Sequence, residues 1–317
     1  MLNKILGLTL SSAMMIGAAQ AFADYPERNV TLIVPFGPGG GTDITARTIL
    51  PYIEKYLGGD IVIQNVPGGG GEIGTTECML AEADGYTLCT FNVPNPLINM
   101  FMRETRYSLD DFEPIANLVN DRSIIAVLAD SPFKTAQDLF DHAKAHPQEL
   151  LFGSSGVGSN NHLEILMYQD QTGADFTIVH ADGGGANRNN LLGGHVDVTA
   201  TSITDLTQFI LSGEVRALCL HGEDRMEQFP ELQTCAEQGF NWNEGSARGI
   251  VAPTGTPAEI IAALENAVQQ ALADPELQAE AAEKSLPLQF MSSEEHAQFL
   301  KESATSVGAL WDKYGSN

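Results

Sequence analysis

Residues 31–47 read TLIVPFGPGGGTDITAR. Residues 31–34 are apolar and mostly β-branched, which suits a buried strand, and Pro35 ends it because proline has no N–H for a ladder. Gly37, Gly39, Gly40 and Gly41 then permit backbone angles closed to other residues and leave the main chain bare, so several N–H groups can converge on one small space. Thr42 or Asp43 is placed to cap the helix that follows. A helix N-terminus carries unpaired N–H groups and about half a positive charge, which suits an anion.

Two nucleotide motifs are excluded. A phosphate-binding P-loop closes on Gly-Lys-Ser/Thr, whereas Gly41 is followed by Thr42 and Asp43. A dinucleotide fingerprint needs an acid at the end of the next strand, and residues 61–63 are followed by Gln64 and Asn65. No cofactor is expected. A turn that merely connects strand to helix is the plain alternative, but the device recurs: after the strand at 61–63 come Asn65, Val66 and Pro67, then glycines 68–71, then a helix from Glu72. Two consecutive strands thus deliver glycine turns and helix N-termini to one sheet edge, where open α/β sheets bind ligands.

Residues 1–23 form an expected secretory signal: Lys4, an apolar run, and a small-x-small site at Ala21, Phe22 and Ala23. The mature chain then starts at Asp24, and the product is expected in the periplasm, where ATP and NAD are not at hand. About 290 residues remain, more than one core comfortably holds, so two domains are expected. The 16 basic and 41 acidic residues give a net charge of −25, which argues against nucleic acid and anionic membranes as partners. The same field repels an anionic ligand at long range. An anion site must therefore be built locally from oriented N–H groups.

The remaining chain alternates strand and helix, predicting an α/β fold. Strands are expected at 87–91, 112–119 and 124–128, the last two separated by the polar Asn120, Asp121 and Arg122, with an irregular turn over residues 92–96. The crossing into a second domain is placed at 121/122 and the return near 247–252. In between lie helices at 135–146, 160–172, 187–192 and 205–211, and strands at 150–152, 176–179, 196–200 and 215–220. Thr256, Pro257, Ala258 and Glu259 read as a capping box opening the closing helices. The four cysteines are consistent with two disulfides, Cys78–Cys89 and Cys219–Cys235, or with four small buried hydrophobes.

The stretches PFGPGGGTDITAR, NVPGGGGEIGTT, GSSGVGSNNHL, LLGGHVDV and VAPTGTPAEIIAALENAVQQALADPEL, in that order, resemble the tripartite tricarboxylate transporter substrate-binding proteins, the TctC or Bug family. The resemblance implies a type II periplasmic binding protein fold: two Rossmann-like α/β domains, residues 24–121 with 249–317 and residues 122–248, around a ligand cleft. It implies a monomer that captures a small organic carboxylate and delivers it to the large and small permease subunits of a tripartite tricarboxylate transporter. The implied ligand-binding residues are Phe36, Gly39, Gly40 and Asp43 in the first turn, and Gly69, Gly70 and Gly71 in the second. Asn92, Ser154, Ser155, Ser159, Asp182, Thr201 and Ser202 complete the set.

The chain departs from the family at residues 179–182, where proline, tyrosine and a basic residue are usual, and at 200–202, where an aromatic and an aspartate are frequent. Asp182 is expected to disfavour a second negative charge on the ligand, unless it faces solvent or pairs with Arg188. A sensor feeding a membrane kinase is the alternative within binding proteins. A serine hydrolase is the alternative outside them, but Gly153, Ser154, Ser155 and Gly156 are one residue short of G-x-S-x-G. No enzyme activity and no metal site are expected, since the histidines at 142 and 146 lack a second cluster to complete one.

Overall fold

The computed structural model describes residues 25–243 and 245–315. The expected signal segment lies outside them. β1 (Val30–Val34) runs between β2 (Ile61–Asn65) and β3 (Thr87–Val93), parallel to both. Val34 faces Asn65 across the ladder, so β1 and β2 end level and release their glycine turns at one edge. α1 (Gly41–Leu57) follows the first turn and closes at Gly58, whose φ of 80° lets its N–H return to the Glu54 carbonyl. α2 (Glu72–Met79) follows the second turn, and α3 (Asn95–Met102) follows β3.

β4 (Phe112–Leu128) is the long strand that joins the two halves. The chain then forms α4 (Ala136–Ala145), β5 (Leu151–Ser154), α5 (Asn160–Thr172), β6 (Thr177–His180), α6 (Gly184–Leu192), β7 (Val198–Ser202), α7 (Ile203–Leu211) and β8 (Val215–Leu220). It returns through β9 (Gly245–Pro253) and ends with α8 (Ala258–Leu272), α9 (Pro275–Glu283), β10 (Leu288–Met291) and α10 (Ser293–Tyr314). Up to Arg122, β4 pairs antiparallel with β9, and β10 flanks it. From Ser123 on, its partners are β7 and β8. One lobe therefore has the order β2-β1-β3-β9-β4-β10 and the other β6-β5-β7-β4-β8. Ser154 faces His180, so β5 and β6 also end level and present their loops together.

The first lobe's core packs Val30, Leu32 and Val34 of β1 with Ile49 and Ile53 of α1 and Leu264 and Val268 of α8. Burial of each such side chain contributes about 1.5–3 kcal/mol. Aromatic rings fill the second lobe: Phe140 lies edge-on to Phe176, Phe240 and Trp242, and fully buried Trp242 stacks on Phe240 and gives its indole N–H to Gln171 at 2.7 Å. Both disulfides are formed, Cys78–Cys89 between α2 and β3 and Cys219–Cys235 from β8 to the segment after it. Among the described residues, no helix is long and apolar enough to cross a membrane.

The α/β alternation is as expected, with local corrections. Neither Thr42 nor Asp43 caps α1: its N-cap is Gly40, with no side-chain cap. Asn120, Asp121 and Arg122 do not interrupt a strand; Asp121 is fully buried within β4, where Arg248 of β9 pairs with it at 2.6 Å. Polarity there reflects a partner and not a turn. Residues 92–96 lead straight into α3, because Pro96 sits in the first helical turn, where no N–H is needed. α6 starts three residues before Asn187, at Gly184. The expected capping box at Thr256 does not form: Pro257 is the N-cap and the Thr256 hydroxyl donates to the Pro253 carbonyl at 2.8 Å. The four-residue strand β10 gave too short a pattern to read.

Candidate functional site

A cavity of about 260 Å³ lies between the lobes. The first lobe contributes Phe36 and Gly37 from the first turn, residues 67–71 from the second, and Arg103. The second lobe contributes Ser155, Gly156 and Val157 after β5, and His180, Ala181, Asp182 and Gly183 after β6.

The second glycine turn is the most specialised backbone in the wall. Gly68, Gly69, Gly70 and Gly71 have φ of 128°, 61°, 67° and 95°, a run that L side chains rarely adopt. The turn's carbonyls are held by α3 and its C-cap: Asn99 Nδ2 donates to Gly70 O at 3.2 Å and Arg103 to Gly69 O at 3.0 Å. A trans peptide sets N–H opposite C=O, so fixing the Gly69 carbonyl on Arg103 directs the Gly70 N–H away from it. Arg103 is itself oriented by Glu72 at 2.9 Å.

The first turn is engaged differently. Gly39 O accepts from Arg188 of α6 at 2.8 Å, and Gly41 N–H donates to the Asp205 carboxylate of α7 at 2.6 Å. A Cβ on Gly40 would lie 3.3 Å from Gly185 N, so the two lobes touch here backbone to backbone. Asp43 serves the turn from inside: it accepts from Gly39 N–H, Arg47 and Asn65. Burial pushes its carboxyl up, but those hydrogen bonds outweigh burial and hold it below the usual carboxylate range.

On the facing wall, fully buried Ser154 lies 2.8 Å from His180 Nδ1. That is a nucleophile–base distance, yet a serine with no exposed surface is closed to a substrate. Ser155 donates to Asn161 Oδ1 at 2.7 Å, and Ser159 caps α5 by accepting from the His162 N–H. His162 Nδ1 accepts from Gly158 N–H at 3.2 Å, and its ring meets His180 edge-on at 4.7 Å. Burial and then the neighbouring His180 bring His162 down to about 4, and burial lowers His180 as well. At neutral pH neither ring carries a cation to the cleft.

Of the residues singled out in the sequence, Phe36, Gly69, Gly70, Gly71, Ser155 and Asp182 line the cavity. Gly39 and Gly40 sit at the contact between lobes, and Asp43 is held by first-lobe partners alone. Asn92 of β3 donates to the Thr42 hydroxyl beneath that contact. Thr201 donates to Asp205 at 2.8 Å, and the Ser202 hydroxyl accepts from Arg248 at 3.0 Å. Among the described residues no ion pair joins Asp182 to Arg188, and Asp182 is exposed. Arg103, Asp205 and Arg248 are absent from the residues expected at the site, and Arg188, expected only as a possible partner of Asp182, holds Gly39 O instead. Asp205 did carry a signal, a misleading one: its spacing from Ser202 is that of a capping box, which does not form.

The profile of the tripartite tricarboxylate transporter family receptors matches residues 45–315. The protein BugT of Bordetella pertussis is 33% identical over 277 residues, 86% of this chain and 84% of its own. The periplasmic binding protein BugD superposes with a TM-score of 0.87 at 29% identity, covering 92% of this chain and 99% of BugD. A Rhodopseudomonas palustris protein solved with adipate scores 0.83 at 29% identity, covering 92% and 97%. MatC of the same organism, solved with bound malate, scores 0.83 at 26% identity, covering 90% and 99%. With a family profile over most of its length and this two-lobed fold, the chain belongs to the tripartite tricarboxylate transporter family receptors.

Proposed function

We propose that this protein is a periplasmic solute-binding protein that closes its lobes on a small organic carboxylate and delivers it to the large and small permease subunits of a tripartite tricarboxylate transporter. The observation that carries the reading is the second glycine turn, four left-handed glycines in succession on the wall of a cavity between two lobes. Relatives solved with malate and adipate supply the ligand class. The family's name supplies the permease. The lobes divide as residues 24–121 with 249–317 and residues 122–248; the change of β4's partners at Ser123 supports the first crossing, while β9 joins the first lobe's sheet from Gly245.

In this reading Gly69, Gly70, Gly71 and Phe36 hold one carboxylate, Ser155 faces it from the other lobe, and Asp182 meets the ligand's far end. Gly39, Gly40, Asp43, Asn92, Ser154, Ser159, Thr201 and Ser202 shape and close the walls. A hydrogen bond to a charged group contributes about 1.5–3 kcal/mol and a helix N-terminus about 0.3–2 kcal/mol. Three or four donors and one helix end thus reach the roughly 8 kcal/mol of a micromolar complex.

A thermal-shift screen over mono-, di- and tricarboxylates, with nucleotides alongside, tests the reading. At a hundredfold excess over Kd a binding carboxylate stabilises by about 2.7 kcal/mol. Stabilisation by nucleotides and by no carboxylate would discard it.

A further inference from the structure

The N-terminus of α1 is already satisfied by an anion, and that anion belongs to the protein. Asp205 Oδ1 accepts from Gly41 N–H at 2.6 Å, while Oδ2 accepts from the Thr201 hydroxyl at 2.8 Å. A Cβ on Gly184, the first residue of α6, would sit 3.0 Å from Oδ2. The carboxylate, 6% exposed, therefore lies against the starts of two helices from opposite lobes. Arg248, the buried cation on the same side, is committed to Asp121. Beside Asp205 the lobes leave no room for an outside molecule: a methyl on Gly185 would come within 3.4 Å of Gly40 N, and Arg188 spans to Gly39 O.

We propose that Asp205 acts as a built-in ligand at the first glycine turn, clasping the lobes and leaving only the second turn to the solute's carboxylate. A helix N-terminus favours an anion against its first N–H groups, and here the Gly41 N–H is taken by a side chain from residue 205. The solute is thereby confined to one anchoring carboxylate at residues 69–71. Its anchoring rests on the carboxylate reading above; the clasp does not.

Formate is the probe, because it matches the carboxyl group that Asp205→Ala removes. Wild type, Asp205→Ala and Asp205→Asn are freed of bound solute by unfolding and refolding with disulfides intact, and circular dichroism checks the fold. Small-angle scattering then reads closure. Asp205→Ala should have a larger radius of gyration than wild type; sodium formate should restore the wild-type value and equal sodium chloride should not. Adding Gly70→Val should leave that response intact, since formate acts at the first turn. Asp205→Asn keeps the volume and loses the charge, so it should expand without responding to formate. If Asp205→Ala does not fold, Asp205→Asn decides: an unchanged radius overturns the clasp. The clasp is equally overturned if Asp205→Ala keeps the wild-type radius, if formate leaves it expanded, or if Gly70→Val abolishes the response. Failure of the carboxylate reading would show separately, as a wild type that no carboxylate stabilises.

Discussion

Gly39 and Gly70 hold matching places in two strand–turn–helix units that leave one sheet edge, and both have positive φ, 77° and 67°. Around Gly39 the turn is consumed by the opposite lobe: Arg188 takes its carbonyl, Asp205 takes the Gly41 N–H, and Gly185 packs on Gly40. Around Gly70 the helpers come from the same lobe, and the turn's other side borders the cavity. The same local chemistry thus makes a contact between lobes in one place and a wall of the cavity in the other. What separates them is whether a carboxylate of the chain arrives first.

The sharpest way to break this comparison is Gly70→Val. The new side chain meets the Val157 carbonyl at 3.3 Å and forces φ of 67° on a β-branched residue, costing roughly 1–3 kcal/mol of stability. Carboxylate affinity by calorimetry should fall at least a hundredfold, about 2.7 kcal/mol; binding like the parent would make this turn a mere connector. Gly40→Val is the counterpart. Gly40 has φ of −83°, so its cost is crowding against Gly185 and not strain. Affinity should drop by about tenfold, or 1.4 kcal/mol, because the lobes close less fully. A loss as large as that of Gly70→Val would erase the distinction.

Smaller still is Asp182→Asn. At roughly 6 Å and an effective dielectric near 20, repulsion of a ligand's distal charge reaches about 2.8 kcal/mol, and exposure of Asp182 reduces it through solvent screening. A dicarboxylate should gain several-fold more affinity than its monocarboxylate homologue, and equal gains would show that Asp182 does not sort ligands.

The least change in affinity is expected from pH. Burial holds His162 near 4 and lowers His180, the ring that lines the cavity, so both are neutral from pH 8 to 7 and affinity should vary by less than about twofold over that range. Stability behaves otherwise. Burial holds His296 near 4 as well, while unfolded histidines take protons below 6.5. Stability is therefore full above 6.5 and declines as pH falls toward 4, by up to roughly 1.4 kcal/mol per unit for a fully buried ring. Melting curves between pH 7 and 4.5 check the sign; a midpoint that rises on acidification contradicts it.

Elements whose cause is local are legible in the chain. The strands expected at 31–34 and 61–63 and the glycine turns after them announce themselves by β-branched residues and by glycine, and the structure extends the strands to 30–34 and 61–65. Both cysteine pairs could be proposed because each spans a short loop within one lobe. What could not be read was set by distant partners. Asp121 reads as part of a polar break because Arg248 lies far along the chain, and Asp205 reads only as the start of a helix because Gly41 lies 164 residues away. Asp43 and Gly39 were read as contacts for a ligand, and the structure gives each of them a partner within the protein.

The order of β strands has a consequence for how the chain is made. β3 pairs with β1 on one side and with β9 on the other, and β9 begins at residue 245. During synthesis from the N-terminus, β1, β2 and β3 can assemble early, but the far edge of β3, TLCTFNV, stays uncovered while the whole second lobe is being added. An uncovered apolar strand edge is a template for association with other chains. Truncation before residue 245 should therefore yield aggregates that the full chain does not form, and the second lobe, whose strands all lie between residues 112 and 220, is the part whose sheet nascent chains can complete first.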